Sequence, residues 1–202
     1  MLTEIFKPQP ENTKGKINMN TSLTLPDIYR TQHVRRWHIV QSKREQTVAE
    51  HSFMVAMISM AIMKEFEITS PEVRSLVFEW ALIHDLPEVV LGDTVSPVKA
   101  KAKQAFKIME DIVDPELRFF EEDLPDVIIR IVKAADYIDA LKFLDAEGVN
   151  GQAKSIFTRL YSDFFEHLDA SQELHPKWPW YNCDRVLHQI MSGHETFIDN
   201  LV

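Results

Sequence analysis

The sequence is poor in cysteine, glycine and long apolar runs, and each shortage excludes a class of protein. Its single cysteine, Cys183, cannot form an internal disulfide or build a cysteine-rich zinc module, and it fits a reducing compartment. Only five glycines in 202 residues argue against a β-sandwich or barrel with many tight turns. No stretch approaches the roughly 18 apolar residues of a membrane span. We therefore predict a globular cytoplasmic protein that makes no use of a membrane.

Positive charge is also scarce, since 22 lysines and arginines face 31 acidic residues and leave a net charge of −9. This balance argues against duplex nucleic acid as a partner. An anionic ligand would need a local cluster of basic side chains, or a metal ion, to overcome the field of the protein. Residues 1–20 lack the apolar core of a signal peptide and predict a mobile polar tail, which assigns the folded domain to residues 21–202.

Proline and capping residues mark the starts of most predicted helices. Thr47, with a glutamate three residues later, has the form of a capping box and predicts a helix over 48–66. Ser70 followed by proline predicts a second helix that runs to about residue 85. Strand signals are nearly absent, so the chain is predicted to be all-α, one domain of six to eight helices. The other predicted segments are one from Leu25 toward Trp37, a basic helix after Ser96-Pro97, one over 125–147 with Gly148 as its C′ glycine, and two over 152–169 and 182–199.

Four side chains on three predicted helices could meet around a divalent metal ion. His84 and Asp85 lie in the last turn of their helix, where the partial negative charge of the helix end favours a cation. Imidazole and carboxylate ligands together suit borderline or hard divalent ions. His51 lies in the first turn of its helix, and Asp136 lies among apolar neighbours, where an unpaired carboxylate is costly. Helical bundles build such sites from facing helices.

Each candidate residue also has an ordinary structural explanation. A lone helical histidine usually serves as a cap or packs in a core, and Asp136 alone would more often pair with a lysine or arginine. Trp37 could be a core aromatic, Arg36 a surface charge, and Glu88 a cap or an ion-pair partner. The interpretation as a site therefore depends on the whole set of residues.

The order of these motifs resembles that of the HD-domain metal-dependent phosphohydrolases. The segments VAEHS (48–52), HDLPE (84–88), GD (92–93) and PVK (97–99) look like the 5′-deoxynucleotidase branch of that superfamily. The upstream RRWH segment (35–38) is similar to its RW motif. The resemblance spans about residues 25–147. It implies a single HD-domain helical bundle, a small-molecule deoxynucleotide as ligand, and assembly into a homo-oligomer.

The resemblance also implies a role for each matching residue. Glu88 would act as general acid or base, and Asp93 would hold or polarise the scissile end of the substrate. Arg36 would bind phosphate, while Trp37 would pack against the sugar and leave no room for a 2′-hydroxyl. The ion would be Zn²⁺, Co²⁺ or Mn²⁺, joined by Mg²⁺ if the substrate is a triphosphate. Its implied ligands are His51, His84, Asp85 and Asp136.

Two substrates compete within this class of enzyme. The segment RWHIV (36–40) looks like that of phage dATP triphosphohydrolases, and Ile39 near the purine would pass adenine and reject guanine or 2-aminoadenine. This favours dATP, cleaved to deoxyadenosine and triphosphate, over a 5′-deoxynucleotidase reaction on dNMPs. A phage-encoded enzyme would work in the host cytoplasm. A triphosphate needs further positive charge, for which the sequence offers Arg35, Lys43, Arg44 and Lys99.

An interpretation from another class is a nucleotide-binding regulator, or a helical interaction module, that has lost turnover. The complete ligand set together with Glu88 argues against it, because a sensor needs no acid–base group. The aromatic residues of the segment 152–202 could pack on the core or form a subunit interface. Apolar helix faces in excess of the needs of one core favour an oligomer.

Overall fold

The computed structural model describes residues 23–94, 98, 101–113 and 120–193. Within these ranges it contains eight α-helices, one 3₁₀ helix and one two-stranded ribbon, which confirms the all-α prediction. The predicted N-terminal tail, the helix start at Ser96-Pro97 and Lys99 lie outside the described residues. The helices are α1 (Leu25–Tyr29), α2 (Val48–Glu65), α3 (Pro71–Ile83), α4 (Glu88–Leu91), α5 (Lys103–Val113), α6 (Asp126–Glu147), α7 (Gly151–Leu174) and α8 (Asn182–Ser192).

Local sequence fixes the ends of the two helices that carry the predicted histidines. The Thr47 side chain accepts a hydrogen bond from the Glu50 amide at 3.2 Å, and the Glu50 carboxylate accepts from the Thr47 amide at 2.8 Å. This capping box starts α2 and places His51 in its first turn. Helix α3 begins after Ser70 and ends at Ile83, with His84 as its C-terminal cap. Both histidines therefore sit at helix ends that face the same region.

The core forms where α6 packs against α2, α3 and α7. Ile131 and Ile138 of α6 and Val55 and Ile62 of α2 are completely buried. Burial of such a side chain contributes about 1.5–3 kcal/mol, so this apolar layer holds the bundle together. A smaller set of polar side chains is buried among the same helices. They include His51, Glu88 and Asp139.

The segment from Leu25 toward Trp37 is not one continuous element. It consists of α1, the 3₁₀ helix Arg30–His33 and strand β1 (Arg35–Arg36), which pairs antiparallel with β2 (Gln46–Thr47). Strands of two residues are too short to show the alternation that identifies a strand in a sequence. The ribbon leads the chain directly into Trp37, whose backbone is left-handed with a φ of 64°.

Gly148 follows α6 as predicted, but its conformation is not that of a C′ glycine. Its φ is −63° and its ψ is 132°, which any residue can adopt. The reason for glycine is space, since a Cβ atom would lie 2.5 Å from the Leu144 carbonyl oxygen and 2.8 Å from Ala153 Cβ. The left-handed glycine cap occurs instead at Gly193, which ends α8; residues 194–199 of the helix predicted over 182–199 lie outside the described residues.

The aromatic residues of the C-terminal segment pack mainly on the core. Phe164 and Trp180 are completely buried, and Trp180 makes an edge contact with Phe66 at 5.2 Å between ring centroids. Tyr161 and Tyr181 remain exposed. Across the described ranges, every helix is too short or too polar to cross a bilayer.

Candidate active site

Three of the four predicted metal ligands converge at one point between α2 and the end of α3. His51 Nε2 lies 3.5 Å from Asp85 Oδ2, and His84 Nε2 lies 3.7 Å from Asp85 Oδ1. One ligand atom from each of the three residues lies within 4.8 Å of the other two. Ligands that each bind a zinc ion at about 2.0–2.2 Å are separated by comparable distances. The three side chains therefore fit a single ion.

The two imidazole rings are oriented so that each turns an unprotonated nitrogen toward this point. His51 Nδ1 donates to Asp139 Oδ2 at 2.6 Å, and His84 Nδ1 donates to the Ala81 carbonyl oxygen at 3.0 Å. Each Nε2 is buried and makes no hydrogen bond with any described residue. A buried nitrogen without a partner is costly, and a metal ion would satisfy both. The donor set thus fits a divalent ion.

Asp136 lies at the edge of this group. Its Oδ1 is 3.3 Å from His51 Nε2, while its Oδ2 accepts a hydrogen bond from Lys133 Nζ at 2.6 Å. Burial favours the neutral acid, but Lys133, His51 and Arg36 outweigh it and hold the pKa of Asp136 well below its usual range. The carboxylate is thus ionised and adjacent to one ligand, and its own role as a ligand stays a prediction.

Arg36 spans the two carboxylates of the site. Its Nη1 donates to Asp85 Oδ2 at 2.8 Å, and its Nη2 lies 3.8 Å from Asp136 Oδ1. Only 12% of its side chain is exposed, so it is not a surface charge. Its buried Nε finds no hydrogen-bond partner in the described part of the chain. Arg36 therefore has a donor left for an anionic ligand.

Mutual electrostatics set the charge states of the cluster. Burial lowers the pKa of His84. For His51, burial and Arg36 oppose protonation, but the nearby carboxylates of Asp136 and Asp139 outweigh them and raise the pKa. Burial would raise the pKa of Asp85, yet His84, Arg36 and His51 lower it strongly. The carboxylates of Asp85 and Asp136 are therefore ionised and able to bind a cation.

Trp37 is held by contacts on all sides. Its backbone amide donates to Asp93 Oδ2 at 3.1 Å, and its indole Nε1 donates to Gln46 Oε1 at 2.9 Å. The indole stacks on Phe143 with 5.8 Å between centroids and 7° between planes. The Arg44 guanidinium lies 5.4 Å from the centre of the same Phe143 ring. A half-buried indole fixed in this way forms a rigid wall.

A cavity of about 260 Å³ opens beside this wall. Its lining combines four of the predicted site residues with one face of α7. The α7 residues in the lining are spaced by three, four and seven positions, as expected for one helix face. Sequence reasoning did not connect α7 with the site, although this spacing is visible in the sequence. The lining residues are Arg36, Trp37, Ile39, Val40, Asp93, Gln152, Ser155, Ile156, Arg159 and Leu160.

Three of the predicted basic residues lie away from the cavity. Arg35 is exposed and pairs with Glu45 at 2.8 Å. Lys43 Nζ donates to the Ala146 carbonyl oxygen, and Arg44 pairs with Glu50 and Glu147. None of the three appears in the cavity lining, so the counter-charge predicted from them is not assembled there.

Three further polar side chains, Glu88, Gln46 and Asp139, are buried near Arg36 or His51. Glu88 is 5% exposed at the start of α4, and its charge acts on Arg36. Gln46 and Asp139 are 2% and 5% exposed and were missed from the sequence. Asp139 lies three residues after Asp136 in an apolar stretch, so helical spacing could have pointed to it. Nothing local distinguishes Gln46.

Comparison with known proteins then identifies the family. The family model described as "5'-deoxynucleotidase YfbR-like" matches residues 25–178. This chain belongs to the YfbR-like family. The match covers both histidine motifs, the Trp37 turn and α7. The matched range thus contains all the residues of the site and of its cavity wall named above.

Individual relatives include two phage proteins named dATP triphosphohydrolase. The protein from Acinetobacter phage SH-Ab 15497 is 29% identical over 89% of this chain and 97% of its own length. The protein from Salmonella phage PMBT28 is 30% identical over 76% of this chain and 82% of its own length. The solved structure of a cyanophage S-2L HD phosphohydrolase, DatZ, bound to dA and one catalytic Zn²⁺, superposes with a TM-score of 0.74 at 24% identity. It covers 85% of this chain and 97% of its own. That structure confirms the HD-domain bundle.

Proposed function

We propose that this chain is a metal-dependent phosphohydrolase of 2′-deoxynucleotides that cleaves dATP to deoxyadenosine and triphosphate. The observation that carries the proposal is the pair of buried Nε2 atoms of His51 and His84, turned toward Asp85 beside the cavity walled by Trp37. The names of the two phage relatives support dATP as the substrate. Their source also supports the cytoplasm of an infected host as the place of action.

The metal ion would be held by His51, His84, Asp85 and Asp136. Two imidazoles and two carboxylates suit Zn²⁺, Co²⁺ or Mn²⁺, and the catalytic Zn²⁺ of DatZ supports zinc. When bound, such an ion polarises a phosphoryl oxygen and activates water. A triphosphate would carry Mg²⁺ on its outer phosphates.

The other side chains would position the substrate and move its proton. Glu88, buried next to the ligands, would take a proton from the attacking water and return one to the leaving group. Arg36 would donate from Nε to a phosphate oxygen. Asp93 holds the Trp37 amide and faces the cavity, so it would orient the scissile end against the sugar wall.

The cavity suits a nucleoside whose sugar lies on Trp37. Its volume of about 260 Å³ is slightly below the roughly 300 Å³ at which small-molecule sites start. Ile39, Ile156 and Leu160 supply apolar surface for a purine. Ile39 is half exposed, at a position where it would meet the edge of the base. We assign to it the exclusion of guanine and 2-aminoadenine.

One observation favours the alternative, a 5′-deoxynucleotidase that releases phosphate from dNMPs. A triphosphate carries roughly four negative charges at neutral pH, and phosphate groups are commonly held by several cationic side chains. Among the described residues, only Arg36 and Arg159 bring positive charge to the cavity lining. One phosphate needs no more than this. The family description points to the same reaction.

A nucleotide panel separates these reactions. Zinc-loaded protein is incubated with each dNTP and each dNMP, and the products are separated by ion exchange. We expect triphosphate and deoxyadenosine from dATP. Orthophosphate from dAMP, with dATP intact, would establish the alternative. An absence of product from every nucleotide would reject both and leave a nucleotide-binding regulator.

Matched histidine variants test the metal centre in the same assay. His84→Ala removes one oriented ligand and should abolish both zinc uptake and turnover. His188→Ala removes an imidazole that is 69% exposed on α8, and it should change neither quantity. Full zinc content in His84→Ala, measured by atomic absorption, would move the metal site elsewhere.

We further propose that the protein is a homo-oligomer. Helix α2 exposes Phe53, Met54, Met57 and Met60 at 58%, 41%, 41% and 38% of their surfaces. A cluster of large apolar side chains on one helix is unusual for a monomer surface and is typical of subunit contacts. A second copy of this chain would cover it.

A further inference from the structure

A continuous chain of hydrogen bonds joins the sugar wall to a metal ligand. The Trp37 indole donates to Gln46 Oε1 at 2.9 Å, and Gln46 Nε2 donates to Asp139 Oδ2 at 2.8 Å. The same Asp139 oxygen accepts from His51 Nδ1 at 2.6 Å. Gln46, Asp139 and His51 are 2%, 5% and 0% exposed, so solvent does not compete for these bonds.

Chemistry fixes the direction of every bond in this chain. An indole only donates and a carboxylate only accepts, so the oxygen of the Gln46 amide must face Trp37 and its nitrogen must face Asp139. With Asp139 accepting twice on one oxygen, His51 keeps its proton on Nδ1 and its lone pair on Nε2. Glutamine is the uncharged side chain of this length that offers both an acceptor and a donor.

The position of Gln46 is also fixed by its backbone. It pairs with Arg36 across the β1–β2 ribbon and is followed by Thr47, the N-cap of α2. The ribbon thus places Gln46 opposite the residue that precedes Trp37, and α2 places His51 one turn further on. An apolar side chain of similar shape would leave the Trp37 indole N–H without its acceptor and Asp139 with one donor fewer, which is unfavourable in a buried position.

We propose that Gln46 is a positioning residue that sets the distance between the sugar wall and the metal ligands, so that selection of 2′-deoxyribose and metal affinity depend on one amide. The proposal deepens the proposed function and rests on it. Trp37 excludes a 2′-hydroxyl only while the indole cannot shift away from the sugar. Gln46 prevents that shift, and through Asp139 it also keeps the His51 ring aimed at the metal.

The test compares Gln46→Met with Gln41→Met. Methionine keeps the length of the side chain and removes both hydrogen bonds of Gln46. Gln41 is an exposed glutamine that accepts one bond, from Asn150, and serves as the matched control. Two quantities are measured on the zinc-loaded proteins: the ratio of the dissociation constants of adenosine and 2′-deoxyadenosine by calorimetry, and the zinc affinity against a competing chelator.

For Gln46→Met we expect the preference for deoxyadenosine to fall about tenfold, and the zinc affinity to fall at the low end of the 10–100-fold range known for partners behind metal ligands. Gln41→Met should match the wild type. Trp37→Phe removes the indole donor together with part of the wall, and it should lower the sugar preference without lowering zinc affinity. In the double variant Trp37→Phe/Gln46→Met, the sugar preference should fall no further than in Trp37→Phe, because both changes remove the same hydrogen bond between Trp37 and Gln46.

A Gln46→Met protein that melts as the wild type does and keeps both quantities would overturn the proposal. Equal losses in Gln41→Met would also overturn it, since they would reflect general destabilisation. If Gln46→Met fails to fold, an unchanged sugar preference in Trp37→Phe would reject the proposal that the hydrogen bond to Gln46 fixes the sugar wall. Failure of the proposed function shows itself differently, because the wild type would then bind neither nucleoside.

Discussion

Carboxylates in this site differ in role because they differ in their partners. Asp85 faces both histidines and Arg36. Asp139 accepts a hydrogen bond from His51 Nδ1. Asp136 contacts both His51 and Lys133. Glu88 lies at the start of another helix, next to this charged group. The position of each carboxylate, and not its residue type, therefore determines whether it is proposed as a metal ligand, as an orienting group or as the acid–base catalyst.

Glu88→Gln should leave zinc content unchanged and reduce turnover of the preferred nucleotide by about 10²–10⁴-fold, the usual contribution of a general acid or base. The amide keeps the shape of the side chain but cannot exchange a proton. Glu79→Gln makes the same change on an exposed position of α3 and serves as the control. Initial rates at saturating substrate and zinc analysis of the same samples provide the measurement. Wild-type rates in Glu88→Gln would remove this residue from the mechanism.

At the scale of single elements, the two halves of α7 have separate roles. Phe164 and Leu168 are fully buried against the bundle, while Ile156 and Arg159 line the cavity one or two turns earlier. The helix is therefore anchored in the core by its second half and presents its first half to the ligand. This arrangement links the stability of α7 to the shape of the cavity.

Arg159→Ala should raise the KM for the nucleotide about tenfold and leave kcat within a factor of two. A hydrogen bond from a charged group is worth roughly 1.5–3 kcal/mol, and Arg159 lines the cavity without being one of the proposed metal ligands. Lys154→Ala, an exposed cation on the same helix outside the cavity lining, should change neither constant. Steady-state kinetics would contradict the assignment if both variants behaved alike.

The joint between α6 and α7 offers a paired test of stability. Gly148→Ala should lower the free energy of unfolding by about 1–3 kcal/mol, because the new methyl group would overlap the Leu144 carbonyl and Ala153. Gly151→Ala, three residues later, meets no atom within 4 Å and should be neutral or stabilise by up to about 1 kcal/mol. Urea unfolding followed by circular dichroism measures both. Equal midpoints would mean that the joint tolerates the methyl group.

The elements with strong local signals were predictable from the sequence, and those fixed by distant contacts were not. The capping box at Thr47 and the proline after Ser70 placed two helices to within two residues. The ribbon, the space limit at Gly148 and the contact of α7 with the cavity depend on residues far apart in the chain. Within the site, His51 and His84 followed from motifs, whereas Gln46 acquires its meaning only from the folded contacts with Trp37 and Asp139.

At the scale of the whole molecule, an acidic protein holds a site for an anion. The net charge of −9 repels a nucleotide at long range, while Arg36 and a bound cation would provide attraction at short range. Helix α2 joins this site to the surface, since His51 starts the helix and the exposed apolar cluster from Phe53 to Met60 follows on it. Assembly through this cluster would place subunit contacts next to the ligands.

Met57→Glu should convert the assembly to monomers, because a charge at the centre of the apolar cluster would be buried without a partner. Leu174→Glu places the same charge on an equally apolar, 61% exposed position at the end of α7 and should leave the assembly unchanged. Sedimentation equilibrium of both variants gives the masses. A wild-type protein that sediments at 23.5 kDa would contradict the proposal.

The left-handed backbone of Trp37 has a consequence for attempts to make the protein more heat tolerant. A side chain other than glycine in this conformation costs about 1–2 kcal/mol, which the fold accepts in order to hold the indole where it stands. Glycine at position 37 would relieve this strain, but it would also remove the stacking on Phe143 and the hydrogen bond to Gln46, and loss of a packed aromatic side chain costs about 3–5 kcal/mol. Random libraries screened for survival at high temperature should therefore retain tryptophan there. A variant without the indole would also lose the sugar selection proposed for Trp37, so the strained backbone, the stability of the fold and that proposed role all depend on the same side chain.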